Sequence, residues 1–260
     1  MTQIVEREVL INGLRVIRQS DWVSLFPRLA QGLTARDAEV DFSLSQASGP
    51  TTADLEPSLL VRSNGWVALL EATGIPRAAR CRQVHGSTVV HVNSADLDLE
   101  GIRLVGEADG LVTDRVGVLL AATVADCVPV FFVDDERGTL GLAHAGWRGT
   151  AAGVVEATLE RMEALGASRE SVYVHLGPAI CKTCYEIGPE VIRALGVGPP
   201  TSQFLDLRAE IAQRALAAGL DEARLSVSGA CTRCETERYF SFRGGDQGQR
   251  MCAFLGWRAS

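Results

Sequence analysis

The chain has 260 residues, 47% of them hydrophobic and 22% charged, with a formal net charge of −7. That is the composition of an ordinary globular protein, long enough to bury a full core. The acidic balance argues against a nucleic-acid backbone or an anionic membrane surface as partner, and no apolar run approaches the length of a membrane span. The start, MTQIVEREVLINGLRV, carries acidic residues where a signal peptide needs a basic and then an apolar stretch, so a cytoplasmic protein is expected. Seven cysteines, an odd number, favour metal or redox roles over a disulfide framework in such a chain.

In chain order, Met1–Arg18 reads as strand, turn and strand, with Asn12-Gly13 as the hairpin signal. Gly32–Asp54 is polar and without a clear period, a long loop around a short strand at Val40–Leu44. Pro57 opens a helix whose inward face takes in Leu60, Asn64, Val67 and Leu70 and which ends at Gly74. Cys81–Val92 reads as strand interrupted at Gly86, and Leu97–Val105 as loop. Val116–Ala125 and Val128–Val133 are apolar and β-branched, each suited to a strand buried on both faces. A turn at Asp134–Gly138 leads into the short strand Thr139–Ala143.

From Thr150 the period changes, with Ala152, Val155, Leu159, Met162 and Leu165 on one helical face and Gly166 as the stop. Ser171–Leu176 is a strand, Pro189–Leu195 and Leu205–Ala218 are helices, and Leu225–Ser228 is a short strand. Tyr239–Phe242 and Met251–Leu255 read as the last two strands, joined at Gly244-Gly245-Asp246. No repeat, low-complexity tract or linker divides the chain, so one domain over 1–260 is expected.

Two cysteine-containing sets stand out. His85, Cys127 and His144 would make a His₂Cys zinc site whose three protein ligands leave the fourth position to water; the plain alternative is a core cysteine and two hydrogen-bonded histidines. Cys181 with Cys184, and Cys231 with Cys234, are two CxxC pairs able to supply four thiolates to a structural zinc. Reduced thiols or a redox pair are the other readings there. Cys81 and Cys252 read as core cysteines.

Other residues carry weaker signals. His175 reads as a hydrogen-bonded core histidine and His91 as an exposed strand residue. Glu107, Asp109 and Asp114 read as turn and capping residues, with Asp109 and Asp126 as candidate proton handlers. The glycines of HAGWRG turn a strand end into a helix start, where unpaired amides and Arg148 suit an anion. Arg36, Arg62 and Arg243 are further candidate anion contacts.

Taken together, QVHG (83–86), ADGLVTD (108–114), ADCVPV (125–130), HAGWRG (144–149), GPAI with CYEIGPEV (177–191), and CT with YFSFR (231–243) resemble the bacterial laccase-domain proteins. Members are called polyphenol oxidases, purine nucleoside phosphorylases or peptidoglycan editing factors. The resemblance runs from about Gly32 to the C-terminus. It implies an α+β fold of mixed sheets packed as a sandwich with outer helices, four layers α/β/β/α, and His85, Cys127 and His144 as catalytic zinc ligands. It departs after Thr34-Ala35-Arg36, where DFSLSQ replaces the family's glycine pair and SLNLG segment. Arg36 carries over as an anion contact beside an altered pocket wall.

Three functions follow from this resemblance. The first is a zinc-dependent phosphorylase acting on adenosine, inosine, guanosine or methylthioadenosine with phosphate, with adenosine deamination as an added activity; phosphate would lie against Arg36, Arg148 and the helix start. The second is a peptidoglycan-precursor editing factor with a closed zinc, in which His175 or His91 would be a fourth ligand. The third is a copper polyphenol oxidase, which calls for many histidine ligands where this chain has four in all. The expected partners are a nucleoside and phosphate, with no nucleic acid and no membrane, and the protein is expected as a monomer or small homo-oligomer.

Overall fold

Strands that read as continuous apolar runs send alternate residues to opposite faces, and here both faces are buried. In Val128–Asp134, Val128, Val130 and Phe132 join one core, whereas Phe131 and Val133 join another. In Met251–Trp257, Met251, Ala253 and Leu255 share that second core, and Cys252 and Phe254 point to a third. Three cores therefore separate four layers. The computed structural model from which these contacts are read describes residues 2–4, 6–37, 39, 40, 42, 64–93, 100–199, 201 and 203–259.

The first sheet runs Thr2–Ile4, Leu225–Ser228, Tyr173–Leu176, Val128–Asp134, Thr139–Ala145, Gly110–Thr113, Val89–His91. The second runs Arg7–Ile11, Leu14–Arg18, Leu29–Thr34, Met251–Trp257, Leu119–Val124, Arg77–Arg82, Gly101–Glu107. Parallel and antiparallel pairings occur in both. The middle core, with Leu33, Leu120, Phe131, Leu142 and Leu255, lies between the sheets. Helices Val154–Glu163, Pro189–Leu195 and Leu207–Ala217 cover the first sheet through Leu159, Ile192 and Ile211. Helix Asn64–Thr73 covers the second through Trp66 and Leu69. This is the expected α/β/β/α sandwich. No helix among the described residues is long and apolar enough to cross a membrane.

The Asn12-Gly13 hairpin forms as read, both residues having left-handed backbone (φ 48° and 86°). Several segments differ from their sequence reading. Leu29–Thr34 is a strand continuing through Gly32, and Ser20–Leu25 is an unanticipated helix. Of the Val40–Leu44 strand only Val40 and Phe42 are described, neither in a strand; the start of the helix read from Pro57, and Arg62, lie outside the described residues.

Leu97–Val105 contains the start of strand Gly101–Glu107. It is an edge strand with only Gly101 and Ile102 buried, which is why its apolar pattern is weak. Tyr239–Phe242 is not a strand. Tyr239 and Phe240 are buried in the middle core, and the chain there turns on side-chain bonds, the Asp246 carboxylate accepting from Ser241 N at 2.8 Å. The helix read from Thr150 is two helices, Trp147–Ala152 and Val154–Glu163, broken at left-handed Gly153 (φ 86°).

Candidate metal centre and cleft

Two of the chain's crossings between the sheets, those that carry His85 and Cys127, pass beside the end of strand Thr139–Ala145. After Arg77–Arg82 in the second sheet it passes through QVHG to Val89–His91 in the first, and after Leu119–Val124 it passes through Ala125–Cys127 to Val128–Asp134. Both crossings bend at a non-glycine residue with left-handed backbone, His85 (φ 59°) and Asp126 (φ 79°). Such residues cost on the order of 1–3 kcal/mol and persist where surrounding contacts over-determine them. Those contacts are present. Gln83 bonds Thr123 through Thr123 O (2.8 Å) and Thr123 N (2.9 Å), tying one crossing to the other. The Asp126 carboxylate accepts from the Thr232 hydroxyl (2.6 Å) and Arg243 N (2.7 Å).

The crossings deliver His85 and Cys127 to His144, which the strand places opposite Pro129. One ligand atom from each of the three lies within 4.8 Å of the others. His144 is buried, and its Nδ1 meets Asp109 Oδ1 at 2.8 Å, leaving Nε2 for an ion. The other Asp109 oxygen accepts from Val84 N (3.1 Å) and Gly86 N (2.7 Å), so one carboxylate orients both the His144 ring and the loop carrying His85. Burial opposes charge on Asp109, but His144 and the two amides hold its pKa below the ordinary carboxylate value.

Without an ion the ligands form their own charge pair. Burial alone would raise the Cys127 thiol, yet the charge and hydrogen bond of His144, with His85, bring it down to about 6. Burial alone would lower His144, yet Cys127 and Asp109 push it up to about 9. A soft thiolate with two imidazoles suits zinc or a single copper ion, and the three-donor set leaves one side open. The residues also fit an ion sterically. An added Cβ on Gly146 would lie 2.9 Å from Cys127 Sγ and 3.2 Å from His85 Cδ2, so only glycine leaves the ligands in place.

The open side faces a cleft of about 560 Å³, within the usual range for a small-molecule site. Among the described residues, five arginines line it, Arg80, Arg82, Arg148, Arg243 and Arg250, against a single carboxylate, Asp126, each of whose oxygens accepts a hydrogen bond. Trp147, Tyr185 and Phe242 supply flat apolar surface. Arg82 pairs with Glu107, and Arg243 donates to Glu186 O while lying over Tyr185. Arg148 is exposed, with its guanidinium 4.1 Å above the Trp147 ring centre. Arg80 is buried over Trp66, with Nε and one terminal nitrogen unbonded. Burial lowers its pKa, with only the Cys252 and Cys81 thiols opposing.

Arg36 corrects the expectation for it. It is not among the residues lining the cleft; its guanidinium makes a bidentate pair with Asp246 (2.9 and 3.1 Å) and stacks on Phe240. His175 is the bonded core histidine expected, between Ser226 Oγ (2.9 Å) and Glu6 Oε1 (3.2 Å), and His91 lies 3.5 Å from Asp114. Neither joins the three ligands. Asp126 lines the cleft and ties two loops to it, one carboxylate oxygen accepting from the Thr232 hydroxyl and the other from Arg243 N.

Residues 56–258 match the family model described as multi-copper polyphenol oxidoreductase laccase. The chain belongs to that family. Among proteins similar to it, the purine nucleoside phosphorylase YlmD of Geobacillus stearothermophilus is 40% identical over 200 residues, 68% of this chain and 71% of that one. A purine nucleoside phosphorylase of Deinococcus radiodurans is 41% identical over 189 residues, covering 68% and 69%. Adenosine deaminase RL5, from an unknown prokaryotic organism, is 34% identical over 178 residues, covering 62% and 68%. The crystal structure of G. stearothermophilus YlmD matches the fold with a TM-score of 0.81 at 30% identity, over 99% of this chain and 100% of that chain.

In this laccase-family chain, sequence reasoning reached the three converging residues but read Asp109 as a turn residue or proton handler, not as the partner of His144, and it passed over Tyr185, Trp147 and Arg80. Tyr185 stood inside the CYEIGPEV motif; Arg80 left no signal, because a strand arginine is ordinarily solvated. Asp109→Asn is expected to weaken zinc affinity by about 10–100-fold while the fold is retained, since the ring loses the carboxylate that fixes its tautomer. Competition with a zinc-binding dye would measure this; unchanged affinity would reduce Asp109 to a loop anchor.

Proposed function

We propose that this protein is a zinc-dependent purine nucleoside phosphorylase, converting adenosine, inosine, guanosine or methylthioadenosine and phosphate to base and ribose 1-phosphate. The observation that carries the reading is a three-ligand corner, His85, Cys127 and His144, opening into a cleft rich in guanidinium groups on a chain whose net charge is −7. Phosphate matches the arginines and a planar purine matches Trp147, Tyr185 and Phe242. The relatives named purine nucleoside phosphorylases support the same assignment.

In this reading Arg148 receives phosphate at the rim, and Asp109 keeps His144 oriented. Tyr185, pushed up to about 12 by burial and then by the charge of Cys127, stays a neutral donor across the working range. Zinc, when bound, supplies Lewis-acid polarisation at the open side of its ligands. The relative named adenosine deaminase supports deamination as a second activity of the same corner. A multi-copper centre does not fit, because His91 and His175 are engaged elsewhere and only two histidines converge. The absence of either histidine from the corner also speaks against the closed site that an editing factor with structural zinc would carry. We further propose a cytoplasmic enzyme working as one domain over 1–260, as a monomer or small homo-oligomer, with no nucleic-acid or membrane partner.

The test is a nucleoside panel on zinc-loaded protein, with and without phosphate. Base release that requires phosphate is expected. Equal release without phosphate would make the enzyme a hydrolase, and no turnover of any nucleoside would favour peptidoglycan-precursor editing. Arg148→Ala is expected to raise the apparent KM for phosphate roughly fivefold, with a weaker salt dependence, because an exposed arginine contributes less than a desolvated one. Its zinc content should not change; a variant that loses zinc and leaves KM alone would assign Arg148 to the metal corner instead.

A further inference from the structure

We infer that Cys181, Cys184, Cys231 and Cys234 hold a second zinc ion, a structural one that braces the wall of the cleft. The two CxxC segments meet because Ala179 and Cys231 form an isolated parallel bridge and Thr232 N donates to Ala179 O (3.2 Å). All four sulfurs lie within 4.8 Å of one another, with Cys184 to Cys234 at 3.4 Å and Cys181 to Cys234 at 4.0 Å. A tetrahedral zinc with Zn–S bonds of about 2.3 Å needs sulfurs roughly 3.8 Å apart, and the two separations straddle that value.

The surroundings suit thiolates. Cys181 N donates to Cys231 Sγ (3.2 Å), and the Arg233 guanidinium is held beside the pair by Cys184 O (3.1 Å). None of the four is in a disulfide. Four thiolates fill a tetrahedral sphere and leave no open position, the pattern of a structural ion.

Local structure supplies the need for one. The stretches around these cysteines carry little beyond a single 3₁₀ turn, Lys182–Cys184, so few ladder bonds hold them. Yet they position the cleft. Tyr185 follows Cys184 directly and lines the cleft, while Thr232, between Cys231 and Cys234, donates to Asp126 next to Cys127. The ion would fix the distance between the Tyr185 wall and the Cys127 corner.

Elemental analysis of the full-length protein purified under reducing conditions tests this. Two zinc ions per chain are expected, falling to one in Cys127→Ser and to one in a Cys184→Ser/Cys234→Ser double variant, with Tm lowered by several degrees in the latter. Should the double variant not fold, cobalt-loaded Cys127→Ser protein leaves all four thiols untouched and is expected to show the strong thiolate-to-cobalt charge-transfer absorption of a many-thiolate tetrahedral site. A single zinc in the wild-type protein that vanishes in Cys127→Ser, or a cobalt spectrum of that variant without thiolate charge transfer, would overturn the inference. Both measurements are independent of nucleoside turnover, so failure of the proposed activity leaves them standing.

Discussion

Gly146→Ala is expected to lower kcat/KM at least about a hundredfold, the scale on which a 1 Å displacement of reacting groups acts. The backbone at Gly146 is extended (φ −79°, ψ 173°), a conformation alanine adopts freely, so the substitution adds no backbone strain. What it adds is a methyl group 2.9 Å from Cys127 Sγ and 3.2 Å from His85 Cδ2. Neither neighbour can retreat easily: Cys127 follows left-handed Asp126, which is bonded on both oxygens, and His85 is itself left-handed in a loop pinned by Asp109. The variant should therefore fold, as judged by an almost unchanged Tm, while losing the zinc that belongs to the His85 corner. Wild-type activity with wild-type zinc content would mean the ligands do not meet under Gly146.

Zinc affinity at this corner is expected to climb about a thousandfold between pH 6 and pH 9. In the metal-free protein Cys127, at about 6, has already lost its proton over most of that window, whereas His144, at about 9, still carries one. Binding must expel the His144 proton, so each pH unit adds about tenfold in apparent affinity until His144 titrates, and the curve flattens above pH 9. Below pH 6 a second proton, on Cys127, must also leave and the slope steepens. Chelator competition across pH reads these slopes directly. A flat profile from pH 6 to 9 would mean that His144 is neutral in the metal-free protein and that the charge pair with Cys127 does not form.

Much of the architecture was legible from local patterns. Strands such as Val128–Asp134 and Met251–Trp257 announce two buried faces by unbroken apolar runs, and the Asn12-Gly13 turn names its own backbone conformation. The errors cluster where burial is not carried by periodicity. Gly101–Glu107 is half exposed at a sheet edge, and buried Tyr239 and Phe240 mimic a strand although side-chain bonds, not a ladder, shape their backbone.

The candidate site divides in the same way. The amino-acid sequence by itself determined the donor types, His85, Cys127 and His144, the paired CxxC segments, and the glycines of HAGWRG, because these are matters of chemistry and local spacing. Only the tertiary structure decided that Asp109 holds the His144 ring, that Arg36 is spent on Asp246 while Arg80 and Arg148 reach the cleft, and that four distant thiols converge. These are pairings between residues far apart in sequence. A side chain's charge and hydrogen-bonding capacity are intrinsic to it, but which partner satisfies them depends on how two sheets stack and where the chain crosses between them.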